Sequence, residues 1–244
     1  MPIPMSRNSE VKNIIRGLNL TRTLFVSSII IGEPYTGKRT LVRSIFPNTP
    51  VVDGSSSMEY LERVLSENSE LIIESFEKVK EPLALNFDNK RVIAISDTSI
   101  RERDIDELFA FIYRIPSLRD RVEDISVFKD YYIKKACEDL MIDSKIEIDE
   151  TYLDISANLK SLKASVYKEA LCQTSDKERL KRALYYYFMR NLDEPNGYKE
   201  HLELFERALL EAGLQKFGSQ LKLSNILGIN RNTLRKKLNE YSIN

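Results

Sequence analysis

Two stretches carry residues whose types and spacing could do chemistry. The first is Gly32-Glu-Pro-Tyr-Thr-Gly-Lys38, a glycine, four residues, then Gly-Lys. That is P-loop spacing, in which backbone N–H groups and a helix N-terminus hold phosphates while the lysine reaches the terminal ones. An apolar run, Leu24 to Ile31, precedes it, and a helical pattern starts near Lys38 and runs to Ile45. The nucleotide-binding candidates are therefore Gly32, Thr36, Gly37, Lys38, Arg39 and Thr40, with ATP or ADP as the ligand such a loop would take. Three features oppose this. Arg39 stands where Ser or Thr meets magnesium, with Thr40 one place too late; Pro34 removes an N–H; Tyr35 adds bulk. A relic loop that binds nothing stays open as the alternative, and no cofactor follows from the residues alone.

The second stretch closes the sequence. Gln220 to Leu227 has Leu223, Ile226 and Leu227 at i, i+3, i+4. Gly228 supplies a tight turn where positive φ costs a glycine least. Asn230 can cap the next helix through its side-chain oxygen, and that helix runs to about Tyr241. Leu234, Leu238 and Tyr241 form its inner face; Asn232, Arg235, Lys236 and Asn239 point away, with Thr233 at the flank. This is a helix-turn-helix pattern whose Arg and Asn can read base edges while Lys and Thr hold phosphates. Between Ser219 and Asn244 there are five cations (Lys222, Arg231, Arg235, Lys236, Lys237) against one acid, Glu240.

Composition bounds the rest. The 244 residues, 42% hydrophobic and 30% charged, fit one large and one small globular domain. Net charge is zero, so a nucleic-acid surface must come from local charge. Two cysteines without a CxxC, and a single histidine, His201, give no disulfide or zinc framework and no histidine triad. No apolar run approaches the roughly 18 residues of a membrane span, and the first ten residues lack a secretion signal's apolar core. The expected location is the cytoplasm.

The elements that position these stretches alternate. A helix is expected over 9–18 with Ser9 as N-cap, a buried strand over Leu24 to Ile31, and a helix from Lys38 to Ile45. Val51-Val52, Leu71 to Ile73 and Arg91 to Ile95 are further strand candidates, with a helix over Ser57 to Leu65. Strands alternating with helices predict a parallel sheet. From Ile105 to Ala136 the spacing is helical, interrupted at Pro116, and residues 146–173 are again helical. Asp176 to Leu192 is a helix carrying Tyr185, Tyr186, Tyr187 and Phe188, read as buried packing in preference to a base-stacking platform. Asp193-Glu-Pro-Asn-Gly197 is the clearest breaker, and a boundary is placed there. Leu204, Phe205, Ala208, Leu209 and Ala212 make a stripe too apolar for an isolated helix, for which a second subunit is the natural cover.

Both stretches resemble parts of known families. Gly228 to Leu238 closely resembles the Fis-type helix-turn-helix, a module that also ends NtrC-type (sigma-54-dependent) transcriptional activators, and the likeness runs from Leu202. It implies a dimer, and it implies that Asn230, Arg231, Thr233, Arg235 and Lys236 contact DNA. Leu223 departs from the small residue usual there. Gly32 to Val42 resembles the activators' GESGTGKELV. Leu71-Ile-Ile-Glu-Ser75 sits at the Walker B place, Arg91 to Ala94 resembles the sensor I strand, Ile115 to Ile125 resembles LPPLRERREDI, and Asn158 to Leu162 resembles the sensor II helix. The collinear set implies an AAA+ module over most of residues 9–172. Its departures imply lost hydrolysis. Glu74 and Ser75 replace the Walker B Asp and Glu, and Ser is a poor general base. Of two arginines that would act on a neighbour's phosphate, Arg101 matches one while Glu107 falls at the other. The sensor II arginine is Lys160, which lacks the bidentate fork. The GAFTGA loop is missing and no receiver domain precedes the module, so neither sigma-54 engagement nor sensor-kinase input is expected.

The fold class expected is α/β, an AAA+-like P-loop parallel sheet with a helical lid, followed by an all-α Fis-type helix-turn-helix domain. The division expected is 1–145 for the degenerate AAA+-like subdomain, 146–195 for the lid and connecting helix, and 196–244 for the DNA-binding domain. The function expected is a bacterial sequence-specific DNA-binding regulator that does not hydrolyse ATP, acting as a homodimer through its C-terminal helices, on double-stranded DNA and away from membranes. An active ATPase driving transcription initiation and a nucleoid-organising DNA-bending protein are the alternatives.

Overall fold

The computed structural model describes residues 6–97, 102–193 and 195–243. Arg101, one of the expected arginine positions, lies outside them. The chain divides into two compact units, Met1–Ser175 and Asp176–Asn244.

The first unit is built on five parallel strands in the order β2-β3-β4-β1-β5. They are β1 (Ser28–Ile31), β2 (Val51–Asp53), β3 (Glu70–Glu74), β4 (Arg91–Ser96) and β5 (Phe111–Arg114). Side chains alternate across a strand, so each strand feeds both faces. Ile29 and Ile31 pack with Leu71, Ile73, Val92 and Ala94 on one face, while Ile30 packs with Ile72, Ile93 and Ile95 on the other. Helices cover both faces, which is why the central strands read as unbroken apolar runs. Each aliphatic side chain buried this fully stabilises the fold by about 1.5–3 kcal/mol. Helices α1 (Ser9–Leu24) and α2 (Lys38–Ile45) contribute Val11, Ile14, Leu18 and Val42 to the second face, and Phe46, just past α2, joins them. Helices α3 (Met58–Glu67) and α4 (Glu102–Leu108) contribute Leu61, Leu65 and Ile105 to the first. Beyond the sheet, α5 (Val122–Leu140) and α6 (Asn158–Gln173) enclose a separate core of Leu118, Phe128, Ala136, Leu162, Val166 and Ala170, the helical lid.

Four local expectations are corrected here. Asn8, not Ser9, caps α1, its side chain accepting from the N–H groups of Glu10 and Val11. The apolar run at Leu24 is not all strand: α1 continues to Leu24, Phe25 turns the chain at φ 54°, and β1 begins only at Ser28. Residues 111–114, expected to be helical, form β5, which pairs with β1 alone and so is an edge strand. Its aromatic and β-branched residues suit that place. Residues 146–157 hold one short 3-10 turn, Glu150–Tyr152, and the helix starts at Asn158.

The second unit contains α7 (Lys177–Asn191), α8 (Gly197–Phe217), α9 (Gln220–Leu227) and α10 (Arg231–Glu240). The breaker at Asp193 to Gly197 separates α7 from α8 inside this unit. Its core is small: Leu210, Leu223, Leu234 and Leu238, with Leu214, Phe217, Leu227, Ile229 and Tyr241 around them. Leu223 fits because α8 presents Gly213 to it; a Cβ at Gly213 would lie 2.4 Å from Leu223 Cδ1. The large residue on α9 is thus matched by the absence of a side chain on α8. Ile226, at i+3 from Leu223, is 60% exposed. The α7 tyrosines are corrected as well: Tyr185, Tyr186 and Tyr187 are exposed in the single chain, and no residue of α7 is buried.

Candidate nucleotide site and nucleic-acid interface

The loop 32–37 joins β1 to α2, at the C-terminal ends of the strands, where open α/β sheets bind ligands. Gly37 takes φ +98° at the head of α2. Lys38 is almost fully buried and folds back on the loop. Its Nζ donates to the carbonyls of Gly32 and Glu33, both at 2.7 Å, and pairs with Asp97 Oδ1 at 2.9 Å. An ammonium has three protons, so its donors are all engaged. Burial pulls the Lys38 pKa below its ordinary value, and the hydrogen bond and charge of Asp97 oppose that shift. Asp97 stands there because β1 and β4 pair with Ile31 opposite Ser96. Glu77 holds the same corner, accepting from Ser96 Oγ at 3.0 Å and from the Asp97 N–H at 3.2 Å.

At the end of β3, Glu74 is buried and flanked by two arginines of α2. Arg43 donates from Nε and Nη2 to Glu74 Oε1 at 3.0 and 2.7 Å. Arg39 Nε lies 3.6 Å from Oε2, and its Nη2 donates to Ser75 Oγ at 3.2 Å. One turn of helix separates Arg39 from Arg43, which places both on one face. Ser75, the next residue, is buried at φ 53° with its hydroxyl 3.4 Å from Asp53 Oδ2.

The lid meets this loop through the start of α6. Asn158 Nδ2 donates to Glu33 Oε2 and to the Pro34 carbonyl, both at 3.0 Å, and the Leu159 N–H donates to the Tyr35 carbonyl. Lys160 sits 4.8 Å from the centre of the Tyr35 ring, a cation–π contact beside the loop. Arg121 is fully buried and donates from Nη2 to the Thr36 carbonyl at 3.0 Å. Between α1, the loop, α2 and the lid lies a cavity of about 650 Å³. Thr36, Gly37 and Thr40 stand on one side of it, and Leu41, Tyr132 and Phe128 supply apolar and aromatic wall. Arg22, Lys135 and Lys163 reach it, and among the described residues no carboxylate lines it. That lining suits an aromatic base carrying anionic groups.

The magnesium ion usual at a P-loop does not fit these residues. It needs a hydroxyl after the lysine and a free carboxylate at the end of the neighbouring strand. Here the first is Arg39 and the second, Glu74, is held by two guanidinium groups. Among the described residues no cluster of three His, Cys, Asp or Glu could hold a metal.

In the second unit, Gly228 turns the chain at φ 65° between α9 and α10. Asn230 caps α10, its Oδ1 accepting from the Asn232 N–H at 2.8 Å. Leu234 and Leu238 are buried, and Asn232, Thr233, Arg235, Lys236 and Asn239 are exposed, as the helical spacing predicts. Arg231, Arg235 and Lys236 have no ion-pair partner among the described residues, so their charge faces solvent. Lys237 is different. It donates to Glu206 Oε1 and Oε2 at 2.6 and 2.7 Å, and Tyr241 Oη donates to Glu206 Oε2 at 2.6 Å. These bonds tie α10 to α8. They hold the Glu206 pKa below the usual carboxylate value, through Lys237 first and Tyr241 second, and the bond to Glu206 helps push the Tyr241 phenol up to about 12.

The model of the Fis family of bacterial regulatory proteins matches residues 201–241. DNA-binding protein Fis from two strains of Buchnera aphidicola subsp. Acyrthosiphon pisum, 5A and APS, is in each case 40% identical over 80 residues, which is 32% of this chain and 76% of the relative. The chain belongs to the Fis family. The match places the Fis-type helix-turn-helix on α8, α9 and α10. The fold as a whole is shared with NtrX from Brucella abortus. NtrX in complex with ATP has a TM-score of 0.54 at 16% identity, covering 99% of this chain and 69% of NtrX; the complex with ADP gives 0.55 at 16%, covering 98% and 70%. At that identity the likeness is one of fold: an AAA+-like parallel sheet with a helical lid, then the Fis-type domain.

The structure brings Gly32, Thr36, Gly37, Lys38, Arg39 and Thr40 together at one loop, and it arrays Arg231, Asn232, Thr233, Arg235 and Lys236 on the exposed side of α10, with Asn230 at its head. Glu107 is exposed on α4. Sequence reasoning missed Arg43, Glu77, Asp97, Asp124 and Glu206. Arg43 was readable, four residues after Arg39 on a predicted helix. The others depend on strand register or helix docking, which local spacing does not carry.

Proposed function

We propose that this chain is a sequence-specific DNA-binding transcription regulator whose P-loop unit holds ATP or ADP without hydrolysing it. The observation that carries the reading is α10: buried leucines on one side, and on the other Arg231, Arg235 and Lys236 free of ion pairs. A helix of that kind enters the major groove of duplex DNA, where Arg235 and Asn232 read base edges and Arg231, Thr233 and Lys236 hold the backbone. The Asn230 side-chain oxygen is spent on the cap, which leaves its amide for a phosphate. The Buchnera relatives, DNA-binding proteins by name, support this, and the ATP and ADP complexes of NtrX support a nucleotide in the cavity. Absence of hydrolysis is supported by Ser75 in the base position and by the closed ion pairs of Lys38 and Glu74. Exposed Leu204, Phe205 and Leu209 on α8 support a homodimer through the C-terminal helices. No described helix is long and apolar enough to cross a membrane; the cytoplasm is the proposed place of action, and sigma-54 engagement is not part of the proposal.

Arg235→Ala tests the interface. On duplexes selected from a random pool it is expected to cost about 1–3 kcal/mol and to relax preference at the contacted base pair. Unchanged affinity and preference would remove α10 as the reading helix. For the P-loop unit, phosphate release from ATP is expected to be no faster for the wild type than for Lys38→Ala. Turnover that this substitution abolishes would make the chain an ATPase.

A further inference from the structure

The carboxylates at the ends of β3 and β4 are already paired with cations of the chain itself. Glu74, at the end of β3, gives Oε1 to Arg43 and faces Arg39 with Oε2. Asp97, at the end of β4, is paired with Lys38. The position after the lysine offers a guanidinium in place of a hydroxyl, and the next hydroxyl, Thr40, lines the cavity instead. Magnesium requires near-octahedral oxygen ligands and dehydrates reluctantly, so it does not settle where the carboxylate at the end of β3 is already held by two guanidinium groups. Guanidinium groups do suit phosphate oxygens, which they meet with two parallel donors. Arg39 and Arg43 are each about half exposed and lie on one face of the helix that starts at the phosphate loop.

We infer that this unit takes its nucleotide without a divalent cation, with Arg39 supplying from α2 the positive charge that magnesium brings to other P-loops. This rests on the reading that the cavity binds ATP or ADP. It explains two departures together: Arg39 replaces the metal's hydroxyl ligand, and Arg43 neutralises the carboxylate that the missing metal would leave bare.

The test is titration of the full chain with ADP, once in excess EDTA and once in excess magnesium chloride, followed by calorimetry. The two dissociation constants are expected to agree within about twofold. Tightening by magnesium of about tenfold or more would overturn the inference while leaving nucleotide binding in place. No binding in either buffer would overturn the nucleotide reading, and this inference with it. Arg39→Thr restores the hydroxyl and removes the charge. It is expected to weaken ADP about tenfold in EDTA. Unchanged affinity in EDTA would show that Arg39 supplies nothing to the phosphates and would also overturn the inference.

Discussion

Replacing Asp124 by alanine is expected to destabilise the P-loop unit by about 3–5 kcal/mol. Asp124 is wholly buried at the start of α5. It accepts from Ser6 Oγ at 2.5 Å, from the Arg7 N–H at 2.6 Å and from the Asn8 N–H at 3.3 Å, and it faces Arg121 Nη1 at 3.5 Å. It therefore does two things at once. It fixes the segment whose Asn8 caps α1, and it neutralises a guanidinium that is itself 2% exposed. Burial pulls the Arg121 pKa down, and Asp124 works against that. Without the carboxylate, Arg121 keeps one hydrogen-bond acceptor, the Thr36 carbonyl, and only the charge of Glu123 still acts on it; its Nε already has no partner. An uncompensated buried charge is the costly outcome, far more than the pair itself gains. Urea unfolding followed by circular dichroism reads the change as a lower midpoint of the first unit's transition. Asp124→Asn keeps the shape and part of the hydrogen bonding and is expected to fall between. If both variants cost less than about 1 kcal/mol, the segment 6–8 is not held this way. Because Arg121 also donates to the Thr36 carbonyl in the loop 32–37, the same variants are expected to weaken the nucleotide binding proposed for that loop.

How much of this was legible in the sequence follows the range of the interactions involved. The loop 32–37, its helix, the Gly228 turn, the Asn230 cap and the buried Leu234 and Leu238 all depend on residues within a few positions of one another. Local spacing therefore located them correctly. β5 was hidden because Leu108, Phe109 and Ile112 fall at i+3, i+4 and i+7 from Ile105, a helical spacing that runs into Phe111 to Arg114. What makes it a strand is a bonding edge on β1, far away in sequence. The run at Leu24 misled for the opposite reason. Its apolar residues serve a helix end, a turn and a strand in succession, and only the φ of 54° at Phe25 separates them. The pairing of Lys38 with Asp97 depends on strand register, and the grip of Glu206 on Lys237 depends on how α8 docks against α10. That second pairing changes the reading of the basic helix. Of its four cations, Lys237 serves the fold, and only Arg231, Arg235 and Lys236 face solvent.

Leu234→Ala is expected to abolish the C-terminal unit's fold near physiological temperature, at a cost of about 2–5 kcal/mol. Among the described residues of that unit only four leucines are buried, and Leu234 is fully enclosed among them, packed with Leu210, Leu223 and Leu238. A unit with so small a core has little stability to lose, so a single cavity takes most of it. Collapse around the cavity is obstructed, because Leu223 already fills the space that Gly213 leaves open. DNA binding is expected to vanish with the helical signal of this unit, while the first unit's unfolding transition stays where it was. Arg235→Ala gives the necessary contrast, since Arg235 is exposed and its loss should leave the fold intact. A Leu234→Ala protein that kept its helical content and its affinity would show that α10 is held by something other than its leucine face. The bonds from Lys237 and Tyr241 to Glu206 would then be the first place to look.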